Sequence, residues 1–282
     1  MVGRAMPTES RFTEHPQLIG VVMLKGKSAV VTGSTSGIGL GIARVLASKG
    51  ANIMLNGFGD AAEIEKIRSG LESEFGVRAA YNAADISKPS SIKEMIDTTV
   101  ETFGSIDVLV SNAGIQYTAA IEDFPEDKWN AIIAINLSGV FWGMHYALPY
   151  MKKQGWGRLI NIASAHGLVA SPHKAAYVAA KHGVVGLTKV AALETAEIDI
   201  TANAICPGWV LTPLVEKQIK DMAAKDGISE KDAELKLLSE KQPSKKFTTP
   251  EELGELAAFL CTDAAAQMTG VPLPMDGGWT AQ

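Results

Sequence analysis

The chain is poor in cysteine. Among 282 residues there are two cysteines, Cys206 and Cys261, far apart and without metal-ligand spacing. That excludes a disulfide scaffold and a zinc-finger site, and it suits two reduced thiols in a cytoplasmic protein. No apolar run approaches the roughly 18 residues needed to span a bilayer, so no membrane partner is expected. Basic clusters are missing too. The net charge is −5, which argues against nucleic acid as a partner. There is no internal repeat and no low-complexity linker. What remains is an ordinary composition, 46% apolar and 20% charged, long enough for one large α/β domain.

Residues 1–23 lack the periodicity of the rest and the apolar core of a signal peptide, so they read as a non-catalytic extension, and His15 receives no role. From Lys27 onward short apolar runs alternate with helical spacing. Strands are expected at 28–32, 51–56, 77–83, 106–112, 158–164, 200–206 and 271–275. Helices are expected at 36–50, 60–75, 89–103, 125–151, 172–196 and 250–261. This alternation predicts a Rossmann-type doubly wound parallel sheet of about seven strands, helices on both faces, in one domain spanning 24–282. Residues 207–249 break the rhythm, being charged and helix-prone without a strand. They read either as a lid over a site or as a static surface insertion.

Two stretches carry chemistry. TGSTSGIG (32–39) joins the first strand to the first helix. Gly33 permits a tight turn, Gly37 lets backbone approach a ligand, and Gly39 lets the helix pack on the sheet; the helix N-terminus then suits a pyrophosphate. SAHGLVASPHKAAYVAAKHG (164–183) gathers three of the five histidines, two lysines and Tyr177 among small residues. Tyr177 and Lys181 are four apart and share a helix face. A neighbouring ammonium favours the phenolate of a group whose free pKa is near 10, which tunes it for acid/base work.

The G-x-x-x-G-x-G spacing resembles the short-chain dehydrogenase/reductase family, and further motifs follow in order. These are SNAG (111–114), with Ser111 where the family has asparagine, Asn136 in a long helix, Ser164 at a strand end, Tyr177-x-x-x-Lys181, and CPGWVLT (206–212). Each alone says little; in this order and spacing they cover about residues 24–282. The resemblance implies that Asn136, Ser164, Tyr177 and Lys181 are catalytic. Tyr177 takes the alcohol proton, Ser164 bonds the substrate oxygen, Lys181 also holds the nicotinamide ribose, and Asn136 keeps a water in a proton relay. It implies a dinucleotide held by Gly33, Thr35, Ser36, Gly37, Ile38, Gly39, Phe58, Asp85, Ile86, Asn112, Gly114, Tyr177, Lys181, Pro207, Val210 and Thr212. No cation stands at the end of the second strand or in the glycine loop, where a 2′-phosphate would lie, so NAD is expected over NADP. Asp60 comes later than the family's ribose-binding acid.

Around the catalytic set lie donors suited to a carboxylate. Ser164 and His166 point the same way on extended chain. With Ser171 as N-cap and Pro172 as first helical residue, Lys174 falls in the first turn, on the face of Tyr177 and Lys181. A lysine there is unfavourable unless an anion is nearby. LNGFG (55–59), NAGIQ (112–116), SAHGLVASPHKAAY and PGWVLTPLVEKQI (207–219) resemble those family members that interconvert (R)-3-hydroxybutyrate and acetoacetate with NAD. The expected substrate is thus a small 3-hydroxy or 3-keto acid. Gln116, His166, Lys174 and Gln218 would bind its carboxylate, Ser164 and Tyr177 its hydroxyl, and Trp209 and Trp279 would close the pocket. No metal is expected. The family implies a homotetramer. Two rivals stand beside this reading: a reductase of 3-oxoacyl thioesters or other ketones, and a non-catalytic NAD-binding regulator. His173 is read as a helix-surface histidine, and His182 and His145 as packing ones.

Overall fold

A computed structural model describes residues 23–281; the expected extension, His15 included, lies outside them except for Met23. Seven strands form one parallel sheet in the order β3-β2-β1-β4-β5-β6-β7. They are β1 (Ser28–Val31), β2 (Asn52–Asn56), β3 (Ala79–Asn82), β4 (Val108–Ser111), β5 (Trp156–Ile162), β6 (Asp199–Pro207) and β7 (Pro272–Met275). Between them run α1 (Gly37–Ser48), α2 (Ala61–Phe75), α3 (Pro89–Phe103), α4 (Glu126–Ile133), α5 (Gly139–Gln154) and α6 (Ala175–Glu194). Then come α7 (Pro213–Asp226), α8 (Glu230–Ser239) and α9 (Pro250–Phe259).

Strand alternation divides the core. Ala29 and Val31 of β1, with Ile53 and Leu55 of β2, face a layer built from α1, α2 and α9, among them Ile42, Leu46, Leu71 and Leu253. Val30 and Met54 face the opposite layer, with Ile92 and Ile96 of α3, Met144 of α5 and Val184 of α6. Both faces are therefore dry, as a parallel sheet requires. The order reverses between β1 and β4, so a crevice opens there beyond the strand carboxyl ends.

The long helix expected at 125–151 is two helices joined by one π turn, Ala134–Ser138, which contains Asn136. Such turns mark places where a helix is re-aimed at a functional site. The 29-residue stretch Glu126–Gln154 is, contrary to expectation, long and apolar enough to cross a membrane by length and composition. In the fold it packs against β4, β5, α3 and α6.

The region 207–249 forms α7 and α8, capped by Thr212 and Ser229. The pair has its own small apolar cluster of Val215, Ile219, Ala223, Ala233 and Leu237. One isolated bridge, Val210 to Thr248, closes the neck of this excursion. Helix α6 begins at Ala175, three residues later than the sequence suggested. The reason is His173, whose φ of +64° is left-handed and cannot continue a helix. Its carbonyl accepts the Ala119 amide at 3.0 Å, so this is a turn residue and not a helix-surface histidine. His182 lies exposed on its helix instead of packing, while His145, also exposed, packs against the rings of Phe141, Trp142 and Tyr146.

Candidate active site

The glycine loop turns through left-handed backbone at Gly33 and Gly37, with φ of +63° and +54°. A Cβ on Gly39 would strike the Gly33 carbonyl and come within 2.5 Å of the Asn112 amide nitrogen, so the helix start lies hard against the β1 and β4 ends. Asn112 fixes that contact from its side: Nδ2 donates to the carbonyls of Thr32 and Gly33 at 2.8 and 3.1 Å. Ser36 stands at the N-cap of α1 but its side chain caps nothing, so the first N–H groups face the crevice.

That crevice has a volume of about 760 Å³ and reaches from Phe58, Asp85 and Ile86 past Gly114 to Tyr177 and Lys181. Of the residues expected to hold a dinucleotide, all line it except Val210. Val210 is buried at the excursion's neck and lines the adjoining cavity, because the bridge to Thr248 pulls its backbone away. Shape, glycine geometry and an uncapped helix start together fit a dinucleotide. Asp60 is used otherwise: its carboxylate caps α2 by accepting from the amides of Ala62 and Glu63. Lys181 is the one cation along this crevice among the described residues.

A second cavity, about 830 Å³, opens from the first. Ser164 and Tyr177 border both. All eight residues expected around a substrate line it: Gln116, Ser164, His166, Lys174, Tyr177, Trp209, Gln218 and Trp279. Sequence reasoning missed Tyr117, Thr118, Lys217 and Asp221, which carry no motif.

Lys181 Nζ donates to the Ile162 carbonyl at 2.7 Å and sits 5.5 Å from the Tyr177 ring centre. Burial brings its pKa down to about 8. Burial also pushes the Tyr177 phenol up, and Ser164 beside it opposes that rise. Contrary to the expectation that Lys181 would lower it, the Tyr177 phenol lies above its ordinary value in the protein alone, because burial dominates and the opposing influence comes from Ser164. Asn136 lines neither cavity. Its side chain is paired both ways with Ile115, accepting the amide at 2.9 Å and donating to the carbonyl at 2.8 Å. It thus holds the peptide between Gly114 and Gln116, on the rim.

His166 is wedged between aromatic rings, with Trp279 at 5.0 Å and Tyr177 at 5.9 Å. Its Nε2 lies 2.9 Å from Ser171 Oγ, so Ser171 serves the histidine and does not cap α6. Burial, then Lys174, Lys241 and His182, bring the His166 pKa down to about 4. Lys174 occupies the N-cap position of α6, just outside the helix. Burial and Lys241 lower its pKa, and among the described residues no carboxylate lies within ion-pair distance of it.

The depressed His166 has a stability consequence. Above pH 6.5 the imidazole is neutral in both folded and unfolded chains. Between 6.5 and about 4 the unfolded chain takes the proton and the folded one does not, so this residue's contribution is lost as pH falls through that window. Urea unfolding midpoints of the ligand-free protein should fall more steeply from pH 6.5 to 4 than those of His166→Gln. Parallel pH profiles would contradict a buried neutral histidine.

A family model described as "Enoyl-(Acyl carrier protein) reductase" matches residues 33–280. The chain belongs to the short-chain dehydrogenase/reductase family. It is 59% identical to a D-beta-hydroxybutyrate dehydrogenase of Cupriavidus necator, over 92% of this chain and all of that one. It is 56% identical to an enzyme of the same description from Rhizobium meliloti, over 91% of this chain and 99% of that one. Among solved structures, the L-sorbose reductase of Gluconobacter frateurii, complexed with NADPH and L-sorbose, aligns with a TM-score of 0.88. That match has 30% identity and covers 93% of this chain and all of the other. The relatives fit a nucleotide-dependent oxidoreductase.

Proposed function

We propose that the protein is an NAD-dependent dehydrogenase that interconverts (R)-3-hydroxybutyrate and acetoacetate. The observation that carries this reading is Lys174. A half-buried cation with no carboxylate partner among the described residues faces a cavity bordered by Tyr177 and Ser164. An unpaired buried charge is costly, so the site is built for an anion supplied from outside. The two close relatives act, by name, on that acid.

The residues divide the work by position. Lys174, with Gln116, Gln218 and neutral His166, takes the carboxylate. Tyr177 Oη removes the hydroxyl proton in oxidation and returns it to the carbonyl oxygen in reduction. Ser164 holds that same oxygen. Trp209 and Trp279 wall the methyl end and exclude water. The glycine loop with Ser36 would hold the pyrophosphate, Phe58, Asp85 and Ile86 the adenosine, and Lys181 the ribose beside Tyr177. Bound NAD supplies the hydride acceptor. Asn136 acts through Ile115, fixing the rim that presents Gln116. A ketone reductase of thioesters would leave Lys174 and His166 without purpose, and a regulator would not need Ser164, Tyr177 and Lys181 together.

The homotetramer belongs to the same proposal: Phe141 of α5 and Val190 and Leu193 of α6 are exposed apolar residues, Leu193 at 79%. The preference for NAD rests on the crevice around Phe58, where among the described residues no arginine or lysine stands to meet a 2′-phosphate. Initial rates with (R)-3-hydroxybutyrate should give a kcat/KM for NAD at least roughly tenfold above that for NADP, since one charged hydrogen bond is worth about 1.5–3 kcal/mol. Equal or better efficiency with NADP would overturn the cofactor assignment.

A further inference from the structure

Gln242 carries no motif, yet it ties together the two sides of the second cavity. It stands three residues beyond the end of α8, and its amide donates to the Leu238 carbonyl at 2.8 Å, so its backbone is tied to the helix end. Its side chain is 1% exposed. Oε1 accepts the backbone amide of Trp209 at 2.9 Å, and Nε2 donates to the carbonyl of Lys246. The amide group is thus spent on both strands of the excursion's neck. The same side chain wedges against the C-terminal loop. A Cβ on Gly208 would meet Gln242 Oε1 at 2.5 Å, and one on Gly277 would meet its Cγ at 2.6 Å.

The contacts continue on either side. Gly208 donates to the Met275 carbonyl at 3.1 Å, and Ser244 to the Gly277 carbonyl at 2.9 Å. Buried Asp276 then shapes the last turn, accepting from the amides of Gly278 and Thr280 at 3.0 and 2.9 Å and from the Thr280 hydroxyl at 2.6 Å. That turn delivers Trp279 onto His166. Trp209 and Trp279, the two large walls of the substrate cavity, therefore reach their places through one buried glutamine.

We infer that Gln242 is a positioning residue that sets the spacing of Trp209 and Trp279, and through it the length of 3-hydroxy acid the site accepts. It touches neither substrate nor cofactor. The inference rests on the dehydrogenase reading for its substrate but not for its geometry. A void or a charge mismatch at this point should loosen both walls while the glycine loop, Tyr177 and Lys181 stay where they are.

The test uses full-length Gln242→Leu and Gln242→Glu enzymes. Leucine removes both hydrogen bonds; glutamate keeps an acceptor for the Trp209 amide. With Gln242→Leu, KM for (R)-3-hydroxybutyrate should rise roughly tenfold, the scale of one buried hydrogen bond, with kcat changed far less and NADH affinity unchanged. The ratio of kcat/KM for 3-hydroxyhexanoate to that for 3-hydroxybutyrate should rise by a similar factor, and Gln242→Glu should fall between wild type and leucine. Amide exchange at Trp209 and Ser244 should quicken together in the leucine variant. A chain-length ratio equal to wild type in both folded variants overturns the inference, as does unchanged exchange at the two amides. Should wild type fail to oxidise 3-hydroxybutyrate, the proposed function fails instead, and the exchange measurement alone decides the role of Gln242.

Discussion

Tyr177→Phe should leave a folded protein that binds NADH normally and turns over almost nothing. The substitution removes one oxygen and keeps the ring that packs on His166 at 5.9 Å, so the site's framework should persist. Tyr177 lies where both cavities meet, beside Ser164. Because burial raises its pKa, the phenol is protonated at neutral pH, ready to donate in reduction. In oxidation it must first lose that proton. Lys181, 5.5 Å from the Tyr177 ring centre, favours that loss, and the positive ring of an oxidised nicotinamide held in the crevice would favour it too. General acid–base catalysis contributes on the order of 10² to 10⁴ in rate, so kcat should fall at least that far. Single-turnover and steady-state rates, read beside NADH fluorescence titration, check this. Near-normal turnover in a folded Phe variant would remove Tyr177 from the mechanism.

The second large effect is expected at Lys174. Lys174→Ala should lower kcat/KM for 3-hydroxybutyrate by about ten-fold to somewhat over a hundred-fold, since hydrogen bonds to charged groups contribute roughly 1.5–3 kcal/mol. Cofactor affinity should hardly move, because Lys174 lines the substrate cavity and not the dinucleotide crevice. The methyl ester of the substrate separates charge from shape. It should be a poor substrate for wild type and lose little more on mutation, having no anion for the lysine to meet. Loss of equal size for acid and ester would mean that Lys174 supports the fold of the α6 start and does not recognise a carboxylate.

How much of this was legible in the sequence follows from what each feature depends on. Strand and helix periodicity reports burial on one or two faces, so β1 through β7 and the helices around them could be read to within a few residues. The glycine loop was legible because positive φ and close packing admit few residues other than glycine. The four-residue spacing of Tyr177 and Lys181 also survived folding, whereas Ser164 and His166 are not on extended chain as expected: Ser164 caps a 3-10 turn, Ala165–Gly167, that carries His166. What depended on three-dimensional surroundings did not. The start of α6 moved because one residue, His173, adopted left-handed backbone. The charge of His166 is set by burial, and burial of a single imidazole is invisible in a string. Asn136 turned inward through a π turn that no spacing announces. That Val210 lines the second cavity was not legible either, because its bridge partner, Thr248, is 38 positions away. Gln242 and Asp276 went unnoticed since all of the one's partners and two of the other's three are backbone groups, which any sequence offers.

The central claim is that a charged carboxylate and a secondary alcohol are recognised together. The most direct measurement is the initial rate of NADH formation or consumption with wild-type enzyme across one panel: (R)- and (S)-3-hydroxybutyrate, acetoacetate and an acetoacetyl thioester. Rapid NADH formation is expected with the (R)-acid and little with its enantiomer, and rapid NADH consumption with acetoacetate and little with the thioester. A thioester reduced more efficiently than acetoacetate would contradict this and make the protein a reductase of acyl thioesters.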